Sequence, residues 1–138
     1  MQINTIIYPT FLMIILTIFL YIKNYIDNQV AYKNNKVTGE YFKVYQGDVP
    51  ENIAVSRQTL KNQFELPILF YLLISILISI NKITIVDVIF AWIFVLSRYL
   101  HAYIRLSSNF VPFRAKLFII GLFSLSTWWF YFIIKNLI

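Results

Sequence analysis

Arg98, His101 and Arg105 are the residues whose types and spacing most clearly suggest chemistry, because they occur at i, i+3 and i+7 within one long apolar stretch. That spacing places two cations and a titratable ring on a single face of a helix. A cation at the middle of a bilayer costs at least about 2.5–3.5 kcal/mol on insertion scales. The stripe therefore predicts a face directed into a helical bundle, where acidic side chains or an anionic ligand can meet the cations.

A second polar group precedes another apolar stretch. Asn62 and Glu65 are three residues apart, so they share one helix face. Pro67 follows and predicts a kink beside Glu65, since proline cannot donate a backbone hydrogen bond. The natural partner of Glu65 is Arg98 or Arg105, and the simplest interpretation of such a pair is a structural link between two helices.

Basic and aromatic residues mark the last apolar stretch. Arg114 and Lys116 lie in its first turn, where a cation opposes the helix dipole. Arg114 therefore either receives an anion together with backbone amides or reaches lipid headgroups, whereas headgroup contact alone explains Lys116. Near the other end of the stretch, three residues indicate an interfacial aromatic belt: Trp128, Trp129 and Tyr131.

Composition identifies the class of protein that must position these groups. The 138 residues are 59% hydrophobic and 19% aromatic, which is typical of an integral membrane protein. Cysteine is absent, which excludes disulfides, thiolate metal sites and a catalytic cysteine. A single histidine and few acidic residues argue against a metal site. The net charge of +6 does not indicate a nucleic-acid partner, because the basic residues are scattered between apolar stretches.

The pattern predicts one all-α domain, an integral membrane four-helix bundle. Each apolar stretch is long enough to cross a hydrocarbon core of about 30 Å. The first is expected to be a true span, since no cationic region precedes it and no small-residue cleavage site follows. The predicted spans cover residues of about 3–23, 57–80, 83–106 and 113–135, with a polar loop at about 24–56.

Charge bias predicts the orientation of the spans. All Lys and Arg residues except Lys82 and Lys135 lie in or beside the first loop and the loop between spans three and four. The positive-inside rule then places both basic loops in the cytoplasm and both termini outside. The polar ends of spans two, three and four consequently meet at one membrane face, so the candidate residues are expected to converge there.

The order and spacing of three motifs resemble the MAPEG superfamily, the membrane-associated proteins in eicosanoid and glutathione metabolism, and especially its prokaryotic members. The resemblance implies a MAPEG-like fold in a bacterial inner membrane. It also implies a homotrimer that binds glutathione between neighbouring subunits near the cytoplasmic face. The motifs that carry it are Asn62-Gln-Phe-Glu65-Leu-Pro67, Arg98-Tyr-Leu-His101 and Asn109-Phe-Val-Pro-Phe-Arg114.

The resemblance further implies a function: a glutathione-dependent transferase or peroxidase acting on lipophilic electrophiles that enter from the bilayer. Arg114 corresponds to the arginine thought to activate the glutathione sulfur. A nearby arginine lowers the pKa of the thiol and so favours the nucleophilic thiolate. Glutathione, as co-substrate, is expected to contact Asn62, Glu65, Arg98, His101 and Arg105.

Three positions depart from the family pattern. Arg105 stands where characterised members carry a tyrosine, and Ala115 stands where the prostaglandin-forming branch has a serine. Gln58 occupies the position of a usual arginine, with Arg57 beside it. A specific eicosanoid activity is therefore not supported. The main alternative is a non-enzymatic membrane bundle whose buried ion-pair network is structural or which binds an anionic lipid or partner. A transporter or proton path is less favoured, since four spans with few acids show no inverted repeat.

Overall fold

The computed structural model describes residues 2–137, and this part of the chain contains helices and turns but no strand. Four helical segments are long and apolar enough to cross a membrane, judged by length and composition. The prediction of an all-α membrane four-helix bundle is therefore confirmed. The membrane-length segments are Thr5–Lys33, Glu51–Ser79, Ile85–Leu106 and Val111–Asn136.

Five α-helices and one 3₁₀ turn make up these segments, and a sixth, short helix, α2, lies in the first connection. The turn, Asn62–Phe64, joins α3 to α4, so the second segment is composite. In chain order the helices are α1 (Gln2–Lys33), α2 (Tyr41–Val44), α3 (Glu51–Lys61), α4 (Leu66–Ser79), α5 (Ile85–Leu106) and α6 (Val111–Leu137).

The first connection is shorter than the sequence predicts. Helix α1 continues to Lys33 and α3 begins at Glu51, so the loop predicted at about 24–56 covers only residues 34–50. Although this region is mostly polar, a few of its apolar side chains are buried. These form a second small core, in which the side chains of Phe42 and Val49 pack against the buried residues Ala31, Val37, Tyr41 and Ile53.

The predicted kink beside Glu65 is confirmed as a full break in the helix. Glu65 has backbone angles of φ −103° and ψ −99°, outside the helical region, and α4 restarts at Leu66. Pro67 lies in the first turn of α4, where its missing N–H leaves no hydrogen bond unmade. The break turns the chain so that Asn62 and Glu65 stand at the start of α4.

The main core is built where α5 and α6 pack against each other and against α4. The rings of Phe70 and Phe94 stack with centroids 5.0 Å apart, and both are fully buried. Gly121 on α6 lies so close to α5 that an added Cβ would be 2.6 Å from the hydroxyl oxygen of Ser97. The absence of a side chain at Gly121 therefore sets the distance between these two helices.

Trp128 is a core residue, so the prediction that it belongs to an interfacial belt is wrong. Its side chain is fully buried, and its indole Nε1–H donates to Asp87 Oδ1 at 2.9 Å. Asp87 is also fully buried and accepts hydrogen bonds from Thr84 and from the ammonium group of Lys135, the latter at 3.1 Å. The buried carboxylate gives the indole N–H a partner inside the bundle.

Two ends of the bundle can now be distinguished. The basic end is the one at which α5 ends at Leu106 and α6 begins at Val111, and α4 also begins there at Leu66. The opposite end is the one at which α5 begins and α6 ends, and it holds the buried Asp87. The candidate residues lie toward the basic end.

Candidate functional site

Arg98 is the most deeply buried cation of the site. Its side chain is 1% exposed, although it carries five N–H donors. Nη2 donates to the backbone oxygen of Asn62 at a long 3.5 Å, while Nε and Nη1 have no partner among the described residues. The guanidinium carbon lies 5.8 Å from the centre of the Phe118 ring, a cation–π distance. Since a buried charge is costly unless it is paired, Arg98 is a donor group that lacks its anion.

His101 joins the end of α5 to the beginning of α6. Its Nδ1 lies 3.1 Å from the backbone oxygen of Arg114, and its ring centre is 5.9 Å from that of Phe118. The carbonyl can only accept, so Nδ1 must carry a hydrogen in this contact, and Nε2 is a buried atom with no partner in residues 5–136. The imidazole thus fixes the first turn of α6 and keeps one nitrogen available.

Arg105 and Arg114 bring two more cations to the basic end, and both side chains are half-buried. One Arg114 nitrogen, Nη1, donates to the side-chain oxygen of Asn109 in the preceding loop, which orients the guanidinium. Arg105 Nε is buried, and no described residue bonds to it. The two guanidinium groups are close enough to repel each other electrostatically. Such like charges are stabilised together when an anion lies between them.

Glu65 does not form the ion pair that the sequence suggests. It is exposed, and no oxygen of its carboxylate lies within 4 Å of Arg98 or Arg105. The helix break explains this position, because the non-helical backbone of Glu65 directs the residue to the surface. Its charge still acts on both arginines electrostatically. The ion pairs of the described side chains, residues 5–136, are Lys23–Asp27 and Lys135–Asp87.

The structure places the predicted residues toward the basic end, where hydrogen bonds join Arg98 to Asn62 and His101 to Arg114. Asn62 reaches it through its backbone oxygen rather than through its amide group, and Glu65 reaches it only through charge. Arg57 does not join these residues, since it donates to the hydroxyl of Tyr41 at 3.0 Å and also to the backbone oxygen of Tyr45. Arg57 therefore holds the first connection in place.

Sequence reasoning missed Phe118, whose ring lies against both Arg98 and His101. The available signal was its spacing, because Phe118 is four residues after Arg114 and thus on the same face of α6. An aromatic face next to unpaired cations favours binding of a ligand with anionic groups, since it provides a low-dielectric wall without competing for the donors. Within residues 5–136 no group of three or more acidic, histidine or cysteine side chains is placed to hold a metal ion.

Comparison with known proteins gives one result. A family model described as the MAPEG family matches residues 6–134, which is nearly the whole chain. No curated protein and no solved structure gives a match. The matched region overlaps all four membrane-length segments, with only Thr5 and residues 135–136 of them outside it, and it contains all of the candidate residues.

Proposed function

Because this chain belongs to the MAPEG family, we propose that it is a glutathione-dependent membrane enzyme, a transferase or peroxidase that acts on lipophilic electrophiles. This membership identifies the chain as an integral membrane protein of the superfamily of eicosanoid and glutathione metabolism. The proposal goes further, to an activity of this chain. It depends on whether the residues at the basic end suit glutathione.

One observation carries the proposal: the buried Arg98 and the half-buried Arg105 have no anionic partner among the described side chains, residues 5–136. Arg98 is 1% exposed, two of its nitrogens have no partner in the described part of the chain, and no carboxylate of residues 5–136 lies within 4 Å of it or of Arg105. Glutathione has two carboxylates, which can each accept charge-assisted hydrogen bonds from a guanidinium. A dianionic ligand therefore supplies what the bundle lacks.

Each candidate residue has a role in this proposal. Arg98 and Arg105 hold the two carboxylates, and the exposed Glu65 takes the ammonium group of glutathione. His101 offers its free Nε2 as an acceptor for an N–H of the ligand. Asn62 orients the ligand, and Arg114 faces the sulfur.

Arg114 is the proposed catalytic residue, since a guanidinium near the thiol stabilises the thiolate. This lowers the pKa of the thiol and raises the fraction of the nucleophile at neutral pH. In the transferase reaction the thiolate forms a carbon–sulfur bond with the electrophile. Either a leaving group departs with its electron pair, or an activated double bond is broken and the resulting carbanion takes up a proton. In the peroxidase reaction two glutathione molecules are oxidised to the disulfide while a hydroperoxide is reduced to an alcohol and water. The protein needs no cysteine for either reaction, since the substrate brings the sulfur.

The proposal includes an assembly and an orientation. Arg105 and Arg114 are half-buried, and a neighbouring copy in a homotrimer can cover them and complete the site. The excess of Lys and Arg at the basic end favours a cytoplasmic position for this end in a bacterial inner membrane, with both termini outside. Glutathione then enters from the cytoplasm, and the lipophilic substrate enters from the bilayer.

Calorimetry on the purified protein tests glutathione binding directly. We expect binding at millimolar ligand or below, and loss of at least tenfold in affinity in Arg98→Met. Arg114→Ala should lower turnover more than it lowers binding. Lys116→Ala is the matched control, because Lys116 is an exposed cation in the same turn of α6. No heat of binding at millimolar glutathione would refute the proposal, and unchanged turnover in Arg114→Ala would remove Arg114 from the mechanism.

The second candidate function is binding of an anionic lipid at the same cations. It is favoured by Phe110 and Phe113, which are 60% and 49% exposed beside Arg114 and suit the membrane interface. A bundle in which these charges only stabilise the fold would need ion pairs between Glu65 and the arginines. Glu65 forms no such pair with Arg98 or Arg105. Vesicles of phosphatidylglycerol that compete with glutathione in the calorimeter would favour the lipid, whereas competition by S-methylglutathione alone favours the enzyme.

A further inference from the structure

Arg105 has the central position among the three guanidinium groups of the basic end. It leaves α5 in the last helical turn, about two turns after Arg98 and next to the loop that leads to Arg114. Its charge interacts with the charges of both Arg98 and Arg114. An anion between Arg98 and Arg105 would therefore lie on one side of the Arg105 guanidinium, and an anion between Arg105 and Arg114 would lie on the other.

Three hydrogen bonds hold Arg114 beside the last turn of α5. The backbone N–H of Asn109 donates to the Ile104 carbonyl at 2.8 Å, and the side-chain oxygen of the same Asn109 accepts from Arg114 Nη1. His101, one turn before Arg105, donates from Nδ1 to the Arg114 carbonyl at 3.1 Å. The loop thus fixes two like charges near each other, although like charges repel.

The Arg105 guanidinium has enough donors for two anionic groups. Its five N–H groups form two edges, and each edge can bind one anion. No carboxylate of residues 5–136 lies within 4 Å of it, and its buried Nε bonds to no described residue. One edge is sufficient for a carboxylate of glutathione. The edge on the side of Arg114 then remains for the only other group of glutathione that can become an anion, its thiol.

The charges at the basic end fit the thiolate better than the thiol. Counted with His101 neutral, the cations Arg98, Arg105 and Arg114 exceed the single carboxylate of Glu65 by two positive charges. Glutathione has one net negative charge when its thiol is neutral and two when it is the thiolate. Only the thiolate form therefore neutralises the site.

We propose that Arg105 and Arg114 together bind the sulfur of glutathione as the thiolate, so that Arg105 is a second catalytic residue. The inference rests on the proposed function, in which Arg114 alone stabilises the thiolate. An opposite charge within about 4–6 Å lowers a pKa by about 1–3 units, so each guanidinium contributes its own share. On binding at neutral pH the thiol proton passes to water, and the sulfur is a nucleophile before the second substrate arrives.

The test measures the pKa of the bound glutathione thiol from the ultraviolet absorbance of the thiolate. The full protein in phosphatidylcholine nanodiscs is titrated with glutathione at a concentration that saturates each variant. The complex with S-methylglutathione, whose sulfur cannot ionise, is the reference that removes the absorbance of the protein. We expect the pKa of the bound thiol to lie about 2–3 units below that of free glutathione.

The variants separate the charge of Arg105 from the general charge of the basic end. Arg105→Gln should raise the pKa of the bound thiol by about 1 unit or more, whereas Arg105→Lys should keep most of the lowering. Lys116→Gln is the matched control, because it removes an exposed cation from the first turn of α6 and should leave this pKa unchanged. An equal rise in Lys116→Gln and Arg105→Gln would overturn the inference.

A chemical variant keeps the test informative if Arg105→Gln does not fold. The chain has no cysteine, so the thiol of Arg105→Cys is the single target for alkylation. Bromoethylamine restores a cation at this position, and iodoacetamide leaves it neutral. Only the aminoethylated protein should lower the pKa of bound glutathione as the natural protein does, and equal pKa values in the two products would refute the role of Arg105.

Binding calorimetry on the same samples distinguishes this inference from the proposed function. If Arg105→Gln binds glutathione with the thiol pKa of the natural protein, even at lower affinity, Arg105 holds only a carboxylate. The inference is then wrong and the proposed function stands. If the natural protein binds no glutathione at millimolar concentration, the proposed function is wrong and the inference falls with it.

Discussion

At the opposite end of the α5–α6 pair, the buried Asp87 carboxylate is surrounded by donors from both helices, whereas at the basic end the buried Arg98 has almost none of its acceptors. Asp87 receives the indole N–H of Trp128, the backbone N–H and hydroxyl of Thr84, and the ammonium group of Lys135. Arg98 has one long hydrogen bond and an aromatic face.

Structural and functional charges inside a membrane protein can be distinguished by where their partners come from. Both groups are equally buried, and both are costly to remove from water. A charge whose partners all come from its own chain stabilises that chain. A charge that is left without partners lowers its stability until something else binds, so it indicates a binding site.

The largest effect is expected at the paired end. Asp87→Leu leaves the Trp128 N–H without its acceptor and Lys135 without its counter-ion, so it should lower the free energy of unfolding by about 3–5 kcal/mol. Equilibrium unfolding in mixed detergent micelles measures this. Adding Lys135→Met to Asp87→Leu should recover part of the loss, because it removes the unpaired cation. If Asp87→Leu lowered the free energy of unfolding by less than about 1 kcal/mol, Asp87 would not be a structural charge, and the two ends would not differ in this respect.

A smaller loss is expected midway between the ends, where no charge is involved. In Gly121→Ala the new Cβ would lie 2.6 Å from the Ser97 oxygen, so the serine must rotate and give up its hydrogen bond to the Phe94 carbonyl. We expect destabilisation of about 1–3 kcal/mol. Ser97→Ala in the same chain should restore most of it, because the next contact, Ser97 Cβ at 3.7 Å, is of ordinary van der Waals length. Additive effects of the two substitutions would contradict this close packing.

The two ends also differ in how well the sequence predicts them. The fold class followed from length and apolar pattern, and the break beside Glu65 followed from Pro67. The stripe of Arg98, His101 and Arg105 was visible because its members share one helix in a 3.6-residue period. Its missing partners were not visible, since whether Glu65 reaches an arginine depends on the backbone angles at the break.

The opposite end was misjudged for a similar reason. Trp128 near the end of an apolar stretch is typical of an interfacial aromatic, and its hydrogen bond to Asp87 spans 41 positions in sequence. The local signal was present in Thr84 and Asp87, whose spacing is that of a capping box, and the structure forms that box. No local sequence pattern shows that α5 packs against α6. Lys135 could therefore not be predicted as the counter-ion of Asp87.

At the basic end, removing the buried charge should not lower the free energy of unfolding. Arg98→Met replaces an isolated buried cation by an apolar side chain of similar length, so the ligand-free protein should be unchanged or more stable by about 1 kcal/mol. The same micelle unfolding experiment measures this. Arg98→Lys serves as control, because it retains the charge and should not gain stability. A loss of 3 kcal/mol or more in Arg98→Met would mean that Arg98 is a structural charge like Asp87.

The smallest effect is expected for the ion pair that belongs to neither end of α5. Lys23 and Asp27 are four residues apart on α1, with an Nζ–Oδ1 distance of 2.7 Å, and the Lys23 side chain is 37% exposed. Water and salt screen such a pair, so Asp27→Asn should change the free energy of unfolding by only about 0.3–0.5 kcal/mol. The difference should shrink further when the salt concentration rises from 50 mM to 500 mM, as a screened pair requires. A loss of several kcal/mol in Asp27→Asn that did not depend on salt would contradict this. An exposed pair would then stabilise the protein as much as the buried Asp87 does, and the number of partners around Asp87 would not explain its effect.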